Sequence, residues 1–384
     1  MFRRVTIFML IFFICIFVTT GCWDNIEIEK NAFILGIALD ADPKNADNIV
    51  VTYQIALPDA MQGGSEGGGG ANGEESTINL SINAKNLKDA EQRLISYIDR
   101  RPNYEHMQIV ILGEELSRAG IANHIDFFFR NPQSRRLTQL LVSKGAAKKI
   151  MEFKPKTTKS TSQYLASIVK YGSKNSINIT SFLNMALLEE NILRTSDFAM
   201  AMVANTNGKL SVEGAGIFKK GNLIGWLEPR DIIAIKMLRN EKVSGNLNLP
   251  MFNKNAGQVS VQIMSSKTKT IPAIKDDKIY FDITIDIEED IAAIEGVHFS
   301  SFDQKFMHEV ERQTEKEVKN ICMRVFNNIH DKYQADIFEL DHKVANYYPE
   351  AWDQIKPRWD EIYRNSIELN IKVHAKVRRI GLIK

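Results

Sequence analysis

The sequence predicts an α+β protein of three mixed α/β domains, the last an antiparallel sheet packed on a long helix. Three observations carry this reading. Strand-like and helix-like apolar patterns alternate through the first half of the chain, and cleanly alternating strands with one long helical stripe fill the last third. Ahead of both stands a basic end, an apolar run and a small residue before a cysteine.

The opening segment sets the topology. Arg3 and Arg4 precede an apolar run from Val5 to Val18, and Thr19, Thr20 and Gly21 lead into Cys22. Spanning a bilayer takes about 20 apolar residues, so this shorter run reads as a cleaved signal peptide over residues 1–21. Cleavage between Gly21 and Cys22 with acylation of Cys22 is the bacterial lipoprotein pattern, from which the chain departs at Thr19, where an aliphatic residue is usual. Burying acyl chains contributes about 0.8 kcal/mol per CH₂, so a diacylated Cys22 holds the mature chain on the membrane it crossed. Loss of the signal removes two arginines from the 49 basic residues and leaves them equal in number to the 47 acids. Such a chain has no global bias toward nucleic acid. Of the three cysteines, Cys15 leaves with the signal and Cys22 carries lipid. Cys322 then stands alone, on the apolar face of a helical pattern, and reads as a small core residue.

The first domain is read over residues 22–153. Phe33 to Leu39 and Ile49 to Leu57 are strand-like, and a Gly-rich segment over 61–75 follows as a mobile loop. Alternation resumes at Ile78, then come an amphipathic helix from Leu87 to Ile98, a strand from Met107 to Leu112, a helix from Ala122 to Phe129 and a strand from Leu137 to Val142. A charged, Thr-rich stretch from Lys154 to Thr161 reads as the first linker. The middle domain, 154–250, has a helical start at Ser162, a helix near Phe182 to Leu188, and strands at Phe198 to Val203 and Ser211 to Phe218. Gly221-Asn222 turns the second of these into Leu223 to Leu227, and Pro229 opens a helix to Leu238. Val243 to Gln258 reads as a second linker.

The third domain, 251–384, has the clearest patterns. Residues 259–263, 279–287 and 367–377 alternate apolar with polar, as half-buried strands do. Phe302, Phe306, Val310, Val318, Ile321, Val325, Ile329 and Tyr333 form one stripe on a helix of roughly 36 residues, laid across the sheet.

The search for catalytic chemistry is negative. Gly63 to Gly67 fits a nucleophile elbow and Gly68 to Gly73 a dinucleotide loop, but both lie in one low-complexity segment without the strand–turn–helix frame that either needs. No cysteine pair can hold zinc. His308-Glu309 and His330-Asp331 read as solvated helix faces, Asp282 and Asp286 as wet strand positions, and Asp40 and Asp42 beside Pro43 as turn formers. Basic clusters at 144–149, 154–159 and 376–379 read as solvated surface. Trp352 and Trp359, flanking Pro357, read as core packing of the third domain, with a partner-facing patch as the other option. No catalytic, metal or cofactor residue is expected.

Several motifs in order carry a resemblance. Gly21-Cys22-Trp23-Asp24, Glu27-Ile28-Glu29, Leu35-Gly36-Ile37 and Asp40 resemble the start of the C subunits of bacterial spore germinant receptors, the GerAC-type lipoproteins. The likeness continues through 108–113, 126–142 and 214–227. It is strongest at Ala335-Asp336-Ile337-Phe338, Tyr348-Pro349, Trp352, Trp359-Asp360 and 373–382.

The resemblance implies a non-enzymatic lipoprotein of three mixed α/β domains on the outer face of the spore inner membrane. It implies partnership with a membrane-embedded A subunit and a transporter-like B subunit in nutrient sensing. The family's one chemical site, the lipidated cysteine, maps onto Cys22. Two alternatives stand beside it: a solute-binding lipoprotein serving an importer, which normally has two doubly wound lobes, and an anchored hydrolase, which needs a convergent nucleophile or metal set that the sequence lacks.

Overall fold

The computed structural model describes residues 30–57, 76–181, 183–249, 258–276, 278–295 and 304–379, with Met9 beside them. Cys22, Gly21 and the Gly-rich loop lie outside the described residues.

The first ten strands build one mixed sheet. They are β1 (Asn31–Ala41), β2 (Ile49–Ala56), β3 (Thr77–Ala84), β4 (Arg101–Asn103), β5 (Ile109–Leu112), β6 (Gln139–Ser143), β7 (Leu183–Asn184), β8 (Phe198–Thr206), β9 (Lys209–Lys219) and β10 (Asn222–Leu227). Their order is β10-β9-β8-β6-β5-β1-β2-β3, with β4 beside β1 and β7 beside β6. The centre, β1-β5-β6-β8, is parallel, and an antiparallel pair flanks it on each side.

Parallel strands covered on both faces read as unbroken apolar runs, and β5, Ile-Val-Ile-Leu, is buried throughout. Ile109 and Ile111 face the helices Ala147–Met151 and Thr161–Asn175. Val110 and Leu112 face the helices Leu87–Leu94, Glu114–Ala119, Ala122–Arg130 and Met185–Arg194. Local signals set the helix starts: the Asn86, Ser160 and Asn184 side chains accept from the N–H groups of Asp89, Gln163 and Leu187. Between β9 and β10, Lys220 and Gly221 have φ of 51° and 83°, as a two-residue hairpin turn requires. The stretch around residue 154 is irregular, yet the sheet is continuous across it, because β6 pairs with β8.

The second sheet has the order β11-β12-β13-β14, from β11 (Gly245–Leu249), β12 (Gln258–Lys275), β13 (Lys278–Glu295) and β14 (Ile367–Arg379). Two expectations are corrected here. The stretch 243–258 is more than a linker, since its Gly245–Leu249 portion pairs with β12; only Leu247 and Leu249 turn inward, too few to stand out in a polar stretch. The sheet is also not wholly antiparallel, because β14 runs parallel to β13. The chain leaves β13 and returns through a helical crossover, the usual route to a parallel pairing.

That crossover contains the long helix, described over Gln304–Lys332; Phe302, expected at the start of its stripe, lies outside the described residues. Gln334, at φ 51°, donates its N–H back to Ile329 O and ends the helix. Phe306, Val310, Val318, Cys322, Val325 and Ile329 form the buried stripe. The same helix also serves the outer edge of the sheet: Glu315 accepts from Ala375 N at 3.1 Å and Glu311 from Val377 N at 3.0 Å. These bonds satisfy donors that an edge strand otherwise leaves open. Beside them, fully buried Glu289 of β13 accepts from the Thr314 hydroxyl at 2.9 Å, while its second oxygen has no hydrogen-bond partner. Burial, reinforced by Glu311 and Glu315 and opposed by the Thr314 bond, pushes its pKa up to about 7.

The two sheets meet through helix Ile232–Leu238, every residue of which is buried. Its apolar side chains join the core of the second sheet. Lys236 points the other way and donates to the carbonyls of Ser173, Ser176 and Ile179 at 2.7, 3.1 and 3.3 Å. Those carbonyls lie at and just beyond the end of helix Thr161–Asn175, where a cation is favoured. Burial holds the ammonium pKa below its usual value.

Candidate functional site

The motifs that end the sequence converge at the seam between the large sheet and the C-terminal block. After the long helix, the chain turns through Ala335-Asp336-Ile337-Phe338 into helix Leu340–Tyr347, and Glu339 enters the left-handed region at φ 60° to make the turn. Pro349 opens the short helix Pro349–Ile355, and a 3₁₀ turn at Lys356–Arg358 leads into helix Trp359–Asn365. Proline suits a first turn because the N–H it lacks has no partner there.

Asp336 lies at the centre and is 7% exposed. One carboxylate oxygen accepts from Leu340 N at 3.1 Å, and the other from Asp341 N at 2.9 Å and Trp359 Nε1 at 3.2 Å. Its own N–H donates to Asp197, at the foot of β8, at 3.0 Å. Asp197 also accepts from Lys220 N in the β9–β10 turn, and Lys220 pairs with Asp360. One aspartate thus joins two short helices, and its N–H ties them through Asp197 to the start of β8 and the β9–β10 turn. Arg239 adds a second bridge, to Glu241 and Glu339.

Aromatic rings close the other side. Trp352 and Trp359 meet edge to face at 5.5 Å, and Trp359 lies 6.2 Å from Tyr363. His330 stacks on Phe326 at 5.4 Å, with its Nε2 2.8 Å from Tyr363 O. The solvated face expected for His330 is therefore corrected: it sits at the end of the helix where the C-terminal segment folds back over it. His308 does face water while contacting Glu311 at 2.9 Å.

Burial dominates the electrostatics. It raises Asp336 well above the usual carboxylate range, helped by the charges of Asp341 and Asp197 and opposed by the backbone donors. Asp197 is pushed up to about 6 by burial, against the Asp336 N–H and the Lys219 charge. Burial likewise raises Asp341. A cleft of about 440 Å³ opens beside these groups, lined by Arg194, Lys220, His342, Trp352 and Trp359 among others. The arrangement fixes the two sheets together, and among the described residues of the cleft no nucleophile is paired with a base.

The remaining sequence candidates have structural roles. Asp40 accepts from Ala147 N at 2.7 Å and Lys148 N at 2.8 Å, capping a helix. Asp42 accepts from Lys44 N in the expected turn. Asp282 and Asp286 face water. Cys322 is buried, which pushes its thiol up to about 12. Among the described residues no group of His, Cys, Asp and Glu could hold a metal ion. Sequence reasoning missed Asp197, Lys236 and Glu289. The first precedes a strand with no pattern of its own, and a single Lys or Glu within a buried element gives no periodic signal.

Another cleft, of about 760 Å³, lies by β4 and is lined by Leu87, Glu91, Arg101, His124, Phe127 and Gln133 among others. Behind it Tyr53 and Tyr104 are buried with their hydroxyls unpartnered. Desolvation lowers the His124 pKa, favouring the neutral ring.

Fold and site together define a two-sheet protein whose sheets are joined by helix Ile232–Leu238 and by a buried acidic and aromatic seam. Comparison with known proteins specifies the class further. The family described as "Spore germination protein N-terminal domain" matches residues 24–196, and "Spore germination B3/ GerAC like, C-terminal" matches residues 213–381. Among curated relatives, spore germination protein B3 of Bacillus subtilis (strain 168) is 23% identical over 97% of both chains. Spore germination protein KC of the same organism is 26% identical over 96% of this chain and 94% of its own. The crystal structure of the GerBC protein superposes with a TM-score of 0.58 at 20% identity, covering 88% of this chain and 96% of that one. The chain belongs to the GerAC-type family of germinant receptor C subunits. Its role lies in spore germination.

Proposed function

We propose that this chain is the lipid-anchored C subunit of a nutrient germinant receptor. Signal cleavage falls between Gly21 and Cys22, Cys22 carries diacylglycerol, and the mature chain sits on the outer face of the spore inner membrane with membrane-embedded A and B subunits. The observation that carries the reading is the near end-to-end family match, whose first residue, Asp24, lies two residues after the acylation cysteine Cys22. Among the described residues no helix is long and apolar enough to cross a membrane. The chain acts without catalysis, through assembly or relay of the signal, and the Asp336 seam supports this by coupling the two sheets that such a relay must traverse.

The test is Cys22→Ala. The N-terminal peptide of the wild-type chain should carry a diacylglyceryl mass on Cys22. The variant should lack it and either leave the membrane fraction or remain there with its signal uncleaved. A wild-type N-terminus without that mass contradicts the reading.

A further inference from the structure

We infer that the end of the large sheet where β1, β4, β5, β6 and β8 begin rests on the membrane surface, with Leu137 and Tyr97 at the lipid boundary and Arg101 and Arg135 on lipid phosphates. The inference rests on the anchor at residue 22 proposed above.

Reach is the first argument. Asn31 opens β1 nine Cα steps after Cys22, so an extended tether spans at most about 32 Å. The opposite end of the same strand, Ala41, lies about 33 Å from Asn31 at a strand rise of about 3.3 Å. The turn Asp42–Asn48 projects further still. Seating the molecule on that end would put Asn31 beyond its tether, whereas seating it on the near end needs no extension.

The second argument is what the near end displays. Asn31 pairs in parallel with Arg101 at the start of β4, and Tyr104 N, just past the end of that three-residue strand, donates to Gln133 in the loop leading into β6. Tyr97 precedes β4 and Leu137 precedes β6, and each is 70% exposed. Paired at one end of a sheet, an aromatic with a polar tip and an aliphatic side chain suit a water–lipid boundary. Arg101 and Arg135 are exposed, with no ion pair to an acid among the described residues. Arg130 and Arg136 are already paired with Asp126 and Glu189. Besides Asp126, the exposed acids here are Asp99, 3.9 Å from Arg100, and Glu105. The local surplus of cations is therefore small, and arginine suits it because its planar fork matches phosphate.

The experiment uses the full chain, isolated from membranes and reconstituted into phosphatidylethanolamine–phosphatidylglycerol vesicles containing spin-labelled lipid. Leu137→Cys and, separately, Tyr97→Cys receive a fluorophore; Lys44→Cys, exposed in the opposite turn, is the comparison. Cys322 is buried, and the unsubstituted chain measures background labelling. Lipid quenching at positions 137 and 97 should exceed that at 44 several-fold, and Arg101→Glu with Arg135→Glu should reduce it at 137. Equal quenching at all three sites, stronger quenching at 44, or none in vesicle-bound protein overturns the proposal. The mass of the N-terminal peptide reads the anchor independently. An uncleaved Val5–Val18 run would tether the chain at nearly the same point, so the quenching result still decides orientation.

Discussion

Glu289→Gln should stabilise the protein at pH 7.5. Glu289 is fully buried, keeps one hydrogen bond from Thr314, and faces Glu311 and Glu315 on the long helix. Its pKa rises from the usual carboxylate range to about 7 in the fold. A group whose folded pKa is raised adds stability in its protonated form, which is complete below the unfolded pKa and lost as pH climbs through the folded one. At pH 7.5 holding the charge in place costs about 3 kcal/mol, and at pH 5 below about 1, taking 1.36 kcal/mol per tenfold shift. Glutamine keeps the carbonyl that Thr314 needs and removes the charge, at the expense of one amide without a partner, about 1 kcal/mol. The net gain at pH 7.5 is about 1–2 kcal/mol, shrinking to nothing or reversing by pH 5. Urea unfolding of the purified soluble part of the chain at pH 7.5, 6.5 and 5 reads this directly. A variant less stable than wild type at every pH, with an unchanged pH slope, refutes the reasoning.

Two further perturbations address the seam. Asp336→Ala leaves Leu340 N, Asp341 N and Trp359 Nε1 without an acceptor; at about 1–3 kcal/mol per stranded buried donor, it should cost several kcal/mol, a large share of the 5–15 that a domain has. Asp336→Asn retains an acceptor and should lose less, so equal losses by thermal unfolding would contradict this assignment of the bonds. Lys236→Met removes the donor to three carbonyls and should destabilise by about 2–4 kcal/mol, with faster hydrogen exchange at residues 173–179 as the local signature. Unchanged exchange there would show that the lysine does not hold the helix end.

The legible parts of the fold were those where burial has a period. The alternation at 279–287 and 367–377, and the stripe from Phe306 to Ile329, appear as β13, β14 and the long helix. The hairpin turn at Lys220-Gly221 was legible within one residue. Pairing direction was not, since a half-buried strand looks the same whether its neighbour runs parallel or antiparallel, and only the helical crossover distinguishes them at β14. Short elements such as β4 and β7, three and two residues long, were invisible because a period needs more residues to establish itself. The seam was half legible: the motif residues Asp336, Trp352, Trp359 and Asp360 stood out by resemblance, whereas their partners Asp197 and Lys220 come from a distant part of the chain.

Affinity capture of the tagged chain from spore membranes tests the central claim most directly. Co-isolation of an A-type and a transporter-like B-type germination subunit with the wild-type protein, and their loss with Cys22→Ala, is the predicted result. Recovery of the wild-type chain with an importer permease, or with neither subunit, would contradict the account.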